Sequence, residues 1–137
     1  MKRVALLIPI CLVASSFCMP GKKLLKTFMI GRYAYNIYEE NYYVHDDNVD
    51  GAFYVVYRAN HKPSICSAWM KASRNDTVFT TGSYWVKNNK LLFKEVYHFN
   101  HPGTDSMLKT FQAAPNGDLV LKEVLQFRNG VVNKTLY

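Results

Sequence analysis

From Thr27 onward the chain alternates short runs of β-branched and aromatic residues with clusters of Asn, Asp, Gly and Pro. Such runs are typical of β-strands, and the residues between them are those that form turns. The runs predicted as strands are Phe28–Tyr38, Ala52–Arg58, Ile65–Lys71, Val78–Val86, Leu91–Phe99, Met107–Gln112, Asp118–Phe127 and Val131–Tyr137. Their spacing predicts an all-β fold, a single antiparallel meander of seven or eight short strands. No long 3.6-residue period, which would indicate a core helix, follows the N-terminal segment.

Two Asn-Gly pairs, Asn116-Gly117 and Asn129-Gly130, are the strongest local turn signals. A two-residue type I′ turn requires positive φ at both central positions, and Asn and Gly tolerate that conformation best. Asn129-Gly130 is therefore expected to join two neighbouring strands tightly.

Side-chain alternation predicts which positions of a strand face the core. In Leu91–Phe99 the face that carries Leu91, Phe93 and Glu95 is the expected core face. The strand Asp118–Phe127 is less simple, because both of its faces carry apolar residues. Either it is covered on both sides, or a bulge near Glu123 changes its inward face.

Residues 1–18 are predicted to be a cleavable secretory signal, which leaves residues 19–137 as a single β domain. Lys2 and Arg3 precede an apolar run from Val4 to Phe17. A membrane-spanning helix needs about 20 apolar residues, so this run is too short to serve as an anchor. Small residues at the recognition positions allow cleavage after Ser16 or after Cys18. Release to the periplasm or the medium is the expected fate.

Lipid attachment at Cys18 is the alternative fate of the N-terminus, because this cysteine closes the apolar run. It would tether the domain to the membrane of the cell envelope, which is the one route by which a membrane contact is expected. The residue before a bacterial lipidation cysteine is normally small, and here it is Phe17. Plain export is therefore favoured.

The chain is basic, with 17 Lys and Arg against 10 Asp and Glu. Lys2 and Arg3 leave with the signal, so 15 basic residues face 10 acidic ones and the mature net charge is +5. Such a charge favours anionic surfaces, but the basic residues are scattered and suit a solvated surface equally well. Because an exported protein rarely meets nucleic acid, no nucleic-acid partner is expected.

Candidate chemistry is sparse. No nucleophile elbow, phosphate loop or dinucleotide-binding fingerprint occurs, so no enzymatic activity, catalytic residue or cofactor is predicted. The pair His98 and His101 would point to opposite sides of a strand, so no metal site is predicted there. Of the three cysteines, Cys18 and Cys66 are expected to form a disulfide if both survive processing.

Two segments repeat a pattern of glycine, an aromatic pair and an Asn-containing turn, starting at Gly51 and at Gly82. In this respect the chain resembles the bacterial MORN-type repeat proteins, best over the segment from Gly82 to Tyr97. The resemblance implies an open sheet of stacked hairpins with a binding or scaffolding role. A second resemblance, to small lipocalin-like barrels, rests on Gly31-Arg32-Tyr33 and implies a closed barrel.

The chain contains 10 Tyr and 2 Trp, which are suited to stacking on sugars or to protein contacts. The expected binding surface consists of Tyr54, Tyr57, Tyr84, Trp85 and Tyr97. The function expected from the sequence is non-enzymatic binding of a protein or glycan partner at the bacterial cell envelope. A lipocalin-like carrier of a small apolar ligand is the alternative.

The mature N-terminus is the first testable prediction. Because the apolar run is too short for a stable span and Ala14 and Ser16 permit cleavage, we expect a product that begins at Phe17 or Met19. Intact mass and N-terminal sequencing of protein from a bacterial host check this expectation. A diacylglyceryl mass increment on Cys18, or partition into a detergent phase, would contradict it.

Overall fold

The computed structural model describes residues 21–44, 48–59, 66–98 and 104–137. Within these residues nine strands form one antiparallel sheet in which the spatial order follows the chain order. Their bounds are β1 Lys22–Ile30, β2 Tyr33–Val44, β3 Val49–Arg58, β4 Cys66–Arg74, β5 Thr77–Lys87, β6 Lys90–Tyr97, β7 Asp105–Ala113, β8 Leu119–Arg128 and β9 Val131–Leu136. The predicted all-β meander is confirmed. Because β1 and β9 lie at opposite edges of the sheet, it is open, and the closed-barrel alternative is wrong.

The sheet has one strand more than the highest number expected, because the run Phe28–Tyr38 contains a hairpin. Gly31 adopts a φ of 59° and Ile30 pairs with Tyr33, so the chain reverses at Gly31-Arg32. A single glycine, here between Ile30 and Arg32, is a weak turn signal, so the run is predicted as continuous. No helix long and apolar enough to cross a membrane occurs in the described part of the chain.

One of the two Asn-Gly turns has the expected geometry. Asn129 and Gly130 have φ values of 50° and 75°, as a type I′ turn requires. At Asn116-Gly117, between β7 and β8, only Gly117 has positive φ, so this turn is not of type I′. The Gly117 N–H donates to the Ala114 carbonyl at 2.9 Å, which places Pro115 at the second position of a four-residue turn, where proline is favoured.

The strand β8 contains the bulge that alternation in the sequence left as one of two explanations. Pairing with β7 passes from Thr110 opposite Glu123 to Phe111 opposite Leu121, so Lys122 is the extra residue. Residues five positions apart lie on opposite faces of a regular strand. Here Leu119 and Val124 are both buried, as the extra residue between them allows. The bulge is therefore confirmed, and its position beside Glu123 is the expected one.

The core lies where the first four strands pack across β6, β7 and β8. The rings of Tyr54 and Phe93 stack at 5.9 Å between centroids, and the Tyr35 hydroxyl donates to the Gly117 carbonyl at 2.6 Å. Each fully buried side chain of this kind contributes about 1.5 to 3 kcal/mol to folding. The buried cluster comprises Phe28, Ile30, Tyr35, Ile37, Tyr54, Val56, Cys66, Ala68, Leu91, Phe93, Phe111 and Leu119.

The strand β4 separates from β5 at Trp69 and Met70. Its pairing with β5 extends only from Lys71 to Arg74, and Met70 is an extra residue relative to β3. The Trp69 N–H instead donates to Oε1 of Glu95 on β6 at 2.8 Å. Gly82 on β5 leaves room for the Trp69 backbone, since a Cβ at position 82 would overlap the Trp69 carbonyl oxygen.

Glu95 is only 2% exposed and serves three donors. Besides the Trp69 N–H, its carboxylate accepts from the Tyr97 hydroxyl at 2.5 Å and from Nζ of Lys109 at 3.4 Å. Burial, together with this hydrogen bond to a carboxylate, raises the pKa of Tyr97. The placement of Glu95 on the core face, expected from alternation, is thus confirmed. Its buried carboxylate is satisfied by these three hydrogen bonds.

Replacing Glu95 tests the importance of this junction. We expect Glu95→Ala to lower the free energy of unfolding by about 3 kcal/mol, because it leaves the Trp69 N–H without its acceptor and Lys109 without its partner. Glu95→Gln retains an acceptor and should cost less. Urea unfolding followed by circular dichroism measures both.

Glu123→Ala is the matched control, since it removes an ion pair to Lys134 that lies at the surface. Its expected effect is below about 1 kcal/mol. Equal losses in Glu95→Ala and Glu123→Ala would show that Glu95 has no special role.

Candidate functional site

Five aromatic side chains on β2, β3 and β4 form what we call the aromatic strip. Tyr38, Phe53, Tyr57 and Trp69 each adjoin a buried core residue in sequence, so they point away from the core. Ring contacts link Tyr38 to Tyr57 at 5.6 Å, Tyr42 to Phe53 at 5.9 Å and Phe53 to Trp69 at 4.0 Å. The strip therefore consists of two groups of contacting rings, one of Tyr38 and Tyr57 and one of Tyr42, Phe53 and Trp69, on the outer face of three neighbouring strands.

Gly51 allows the Trp69 ring to lie across the sheet. It pairs with Tyr42 on one side and with Ala72 on the other. A Cβ at Gly51 would overlap Cζ3 of Trp69, so only glycine permits this ring position without a shift. The exposed Tyr42 and the Trp69 ring consequently flank the same short stretch of β3.

Lys22 holds the opposite end of the aromatic strip. Its ammonium group donates to the Tyr57 hydroxyl at 2.6 Å, lies 4.6 Å from the centre of the Tyr57 ring and is 3.7 Å from the Glu40 carboxylate. The hydrogen bond to Tyr57 is the main cause of a raised pKa at Lys22. A cation is thus fixed beside the strip.

A polar cleft of about 360 Å³ adjoins the Tyr42 end of the aromatic strip. Of the strip residues Tyr42 lines it, together with Gly51. The other lining residues are Asn41, Tyr43, Asp50, Ala52, Lys71 and Ser73. These six alternate with Tyr42, Gly51 and Ala72 along paired strands, so their side chains lie on the face of the sheet opposite to the aromatic strip. The cleft thus offers an amide, a carboxylate, an ammonium group and a hydroxyl on the reverse of the strands that carry the strip.

The five aromatic residues expected from the sequence do not lie on one surface. Tyr54 is 7% exposed, and its hydroxyl donates to the Gly82 carbonyl at 3.1 Å. Tyr84 packs against Tyr54 with 5.0 Å between ring centroids, and Tyr97 is tied to Glu95. Tyr57 belongs to the aromatic strip, whereas Trp85 is exposed on β5.

Sequence reasoning missed four members of the strip, Tyr38, Tyr42, Phe53 and Trp69. The available signal was the period-two alternation in Ala52–Arg58, which places Phe53 and Tyr57 on one face and Tyr54 on the other. Assigning Tyr38, Tyr42 and Trp69 to that face also requires the register between three strands, which the sequence does not encode locally.

Cys66 is a buried free thiol within the core cluster. Burial raises its pKa, which disfavours the reactive thiolate. Its expected partner Cys18 lies outside the described residues, so the disulfide stays a prediction. Among the described residues no group of three or more His, Cys, Asp or Glu could hold a metal ion.

In comparisons with known proteins, no family model, curated protein or solved structure matches the chain. The resemblance to MORN-type repeats therefore stays a prediction without support. The function of the candidate site is therefore inferred from its geometry alone.

Gly51→Ala tests how the aromatic strip is built. The added methyl group displaces the Trp69 ring, so we expect a shift of the Trp69 fluorescence emission, measured in a Trp85→Phe background that leaves a single tryptophan. Such overpacking should also lower the free energy of unfolding by about 1 to 3 kcal/mol. Ser67→Ala, on the exposed part of β4, is the control and should leave the emission unchanged. An unchanged spectrum in Gly51→Ala would contradict the assigned ring position.

Proposed function

We propose that this protein is an exported, non-enzymatic binding protein that holds a glycan of the bacterial cell envelope on the aromatic strip. The observation that carries the proposal is the outer face at Gly51, where the exposed Tyr42 and the Trp69 ring lie beside a residue without a side chain. Export follows from the predicted signal in residues 1–18.

The exposure of the strip supports a binding role. Tyr42 is 56% exposed, and the neighbouring rings remain partly accessible although they contact one another. A run of contacting aromatic rings on the surface is unfavourable in water and is typical of an interaction site. Because the rings are held by Lys22, Gly51 and their mutual contacts, little side-chain entropy is lost when a ligand binds.

The polar groups beside the aromatic strip favour a glycan over a protein partner. Pyranose rings present apolar faces to aromatic side chains and hydroxyls to charged groups, and the ion pair of Lys22 with Glu40, which pairs with Phe53, lies on the same face as the strip. A protein partner would use the same rings, since Tyr and Trp are enriched in protein interfaces. Binding of a protein instead of a glycan is therefore one outcome of the test below.

The alternative function, a carrier of small apolar ligands, requires an internal apolar chamber. In the described part of the chain the space between the two halves of the sheet is filled by core side chains such as Tyr54, Phe93 and Phe111. This packing favours surface binding over internal storage.

Alanine substitution in the strip tests the proposal. We expect Trp69→Ala and Tyr42→Ala each to weaken glycan binding by about tenfold, because each removes a stacking surface. A glycan array identifies a ligand for the mature wild-type protein, and calorimetry then measures the affinities. Circular dichroism verifies that each variant is folded.

Trp85→Ala is the matched control, since Trp85 is an exposed tryptophan outside the strip. Its glycan affinity should equal that of the wild type. Equal weakening in all three variants, or strip-dependent binding of an envelope protein with no glycan bound, would overturn the proposal.

A further inference from the structure

A second and larger cleft, of about 550 Å³, lies at the end of the sheet where three chain reversals meet. The β1–β2 turn, the β5–β6 turn and the end of β7 enclose it. We call it the turn-end cleft. Its lining residues are Ile30, Gly31, Arg32, Tyr33, Asn88, Asn89, Lys90, Gln112, Ala113, Ala114 and Pro115.

The charge of the turn-end cleft is positive. Arg32 and Lys90 line it, and among the described residues that line it none is acidic. Lys87 pairs directly with Lys90 across the β5–β6 hairpin. Like charges opposite each other in an antiparallel ladder are destabilising, and an anion placed between these cations and Arg32 would relieve the repulsion.

Tyr33 gives the turn-end cleft a fixed wall. Its ring lies between two guanidinium groups, with Cζ of Arg32 5.1 Å and Cζ of Arg58 4.5 Å from the ring centre. Its hydroxyl accepts from Nη2 of Arg32 at 3.0 Å and donates to the Pro115 carbonyl. Arg58 in turn donates to the Asn116 carbonyl, so it is bound to the same turn. Of the two cations that line the cleft, Arg32 is therefore positioned before any ligand arrives.

The remaining polar groups of the turn-end cleft suit hydroxyl recognition. Oδ1 of Asn89 accepts from the Gly31 N–H at 3.4 Å, which ties two of the turns together. Asn88 and Gln112 add side-chain amides to the lining. The volume lies within the range of small-molecule sites and suits one or two sugar rings.

We propose that the turn-end cleft binds an anionic saccharide, a sugar that carries a carboxylate or a phosphate group. Arg32 and Lys90 bind the anionic group, and the amides and Tyr33 contact the sugar. The proposal rests on the turn-end cleft alone and does not depend on the aromatic strip.

The experiment titrates the mature protein with four probes: glucuronic acid, glucose 6-phosphate, glucose and inorganic phosphate. Binding is followed by backbone amide chemical shifts. We expect both acidic sugars to bind about tenfold or more tightly than glucose and inorganic phosphate, and to shift the amides of Gly31, Asn89 and Lys90. Their affinity should fall with added salt.

The variants Arg32→Ala and Lys90→Ala should each weaken acidic-sugar binding by about tenfold, whereas Lys90→Arg should retain it. Lys94→Ala, an exposed lysine on the same strand, is the matched control. Trp69→Ala should leave acidic-sugar binding unchanged, which separates this site from the proposed glycan site.

Three results would overturn the proposal. Glucose bound as tightly as glucuronic acid would show that charge is not recognised. Inorganic phosphate bound as tightly as glucose 6-phosphate would show that the cleft recognises the anionic group and not the sugar. Unchanged acidic-sugar affinity in folded Arg32→Ala and Lys90→Ala would place the binding elsewhere.

Discussion

The contact between the Glu95 carboxylate and the Trp69 N–H is the constraint on which the rest of the structure depends. Where β4 leaves β5, a backbone donor enters the interior without a strand partner, and such a donor is costly to bury unpaired. Glu95 satisfies it at 2.8 Å, and the missing side chain at Gly82 gives the backbone room. This junction lets the first strands pack across β6 to β8.

The aromatic strip follows from that packing. Once Tyr54, Val56 and Ala68 face the core, the alternation of a β-strand directs Phe53, Tyr57 and Trp69 outward. The core and the candidate site are two faces of the same three strands, so each depends on the register of the other. Gly51 contributes to this arrangement, because its lack of a side chain leaves space for the Trp69 ring.

The two clefts of the sheet differ in chemistry. The cleft beside Tyr42 contains Asp50 as well as Lys71, whereas the turn-end cleft is lined by Arg32 and Lys90 with no acid. Both are open grooves with amide groups, suited to ligands that carry many hydroxyls. Basic residues that are scattered along the sequence, Arg32 and Lys90, come together where the turns converge.

Local features could be predicted from the sequence alone. The strands, most turns and the position of the β8 bulge depend on residues a few positions apart, through backbone φ preferences and side-chain alternation. The sequence also placed Glu95 on the core face. It could not distinguish a continuous run at Phe28–Tyr38 from a hairpin, nor an open sheet from a barrel. Tertiary structure alone decided that Tyr54 is buried while its neighbour Phe53 lies in the aromatic strip, and that Arg32, Lys90 and Tyr33 meet at one cleft. These outcomes depend on pairing between strands far apart in the chain, where a shift of one residue exchanges the two faces.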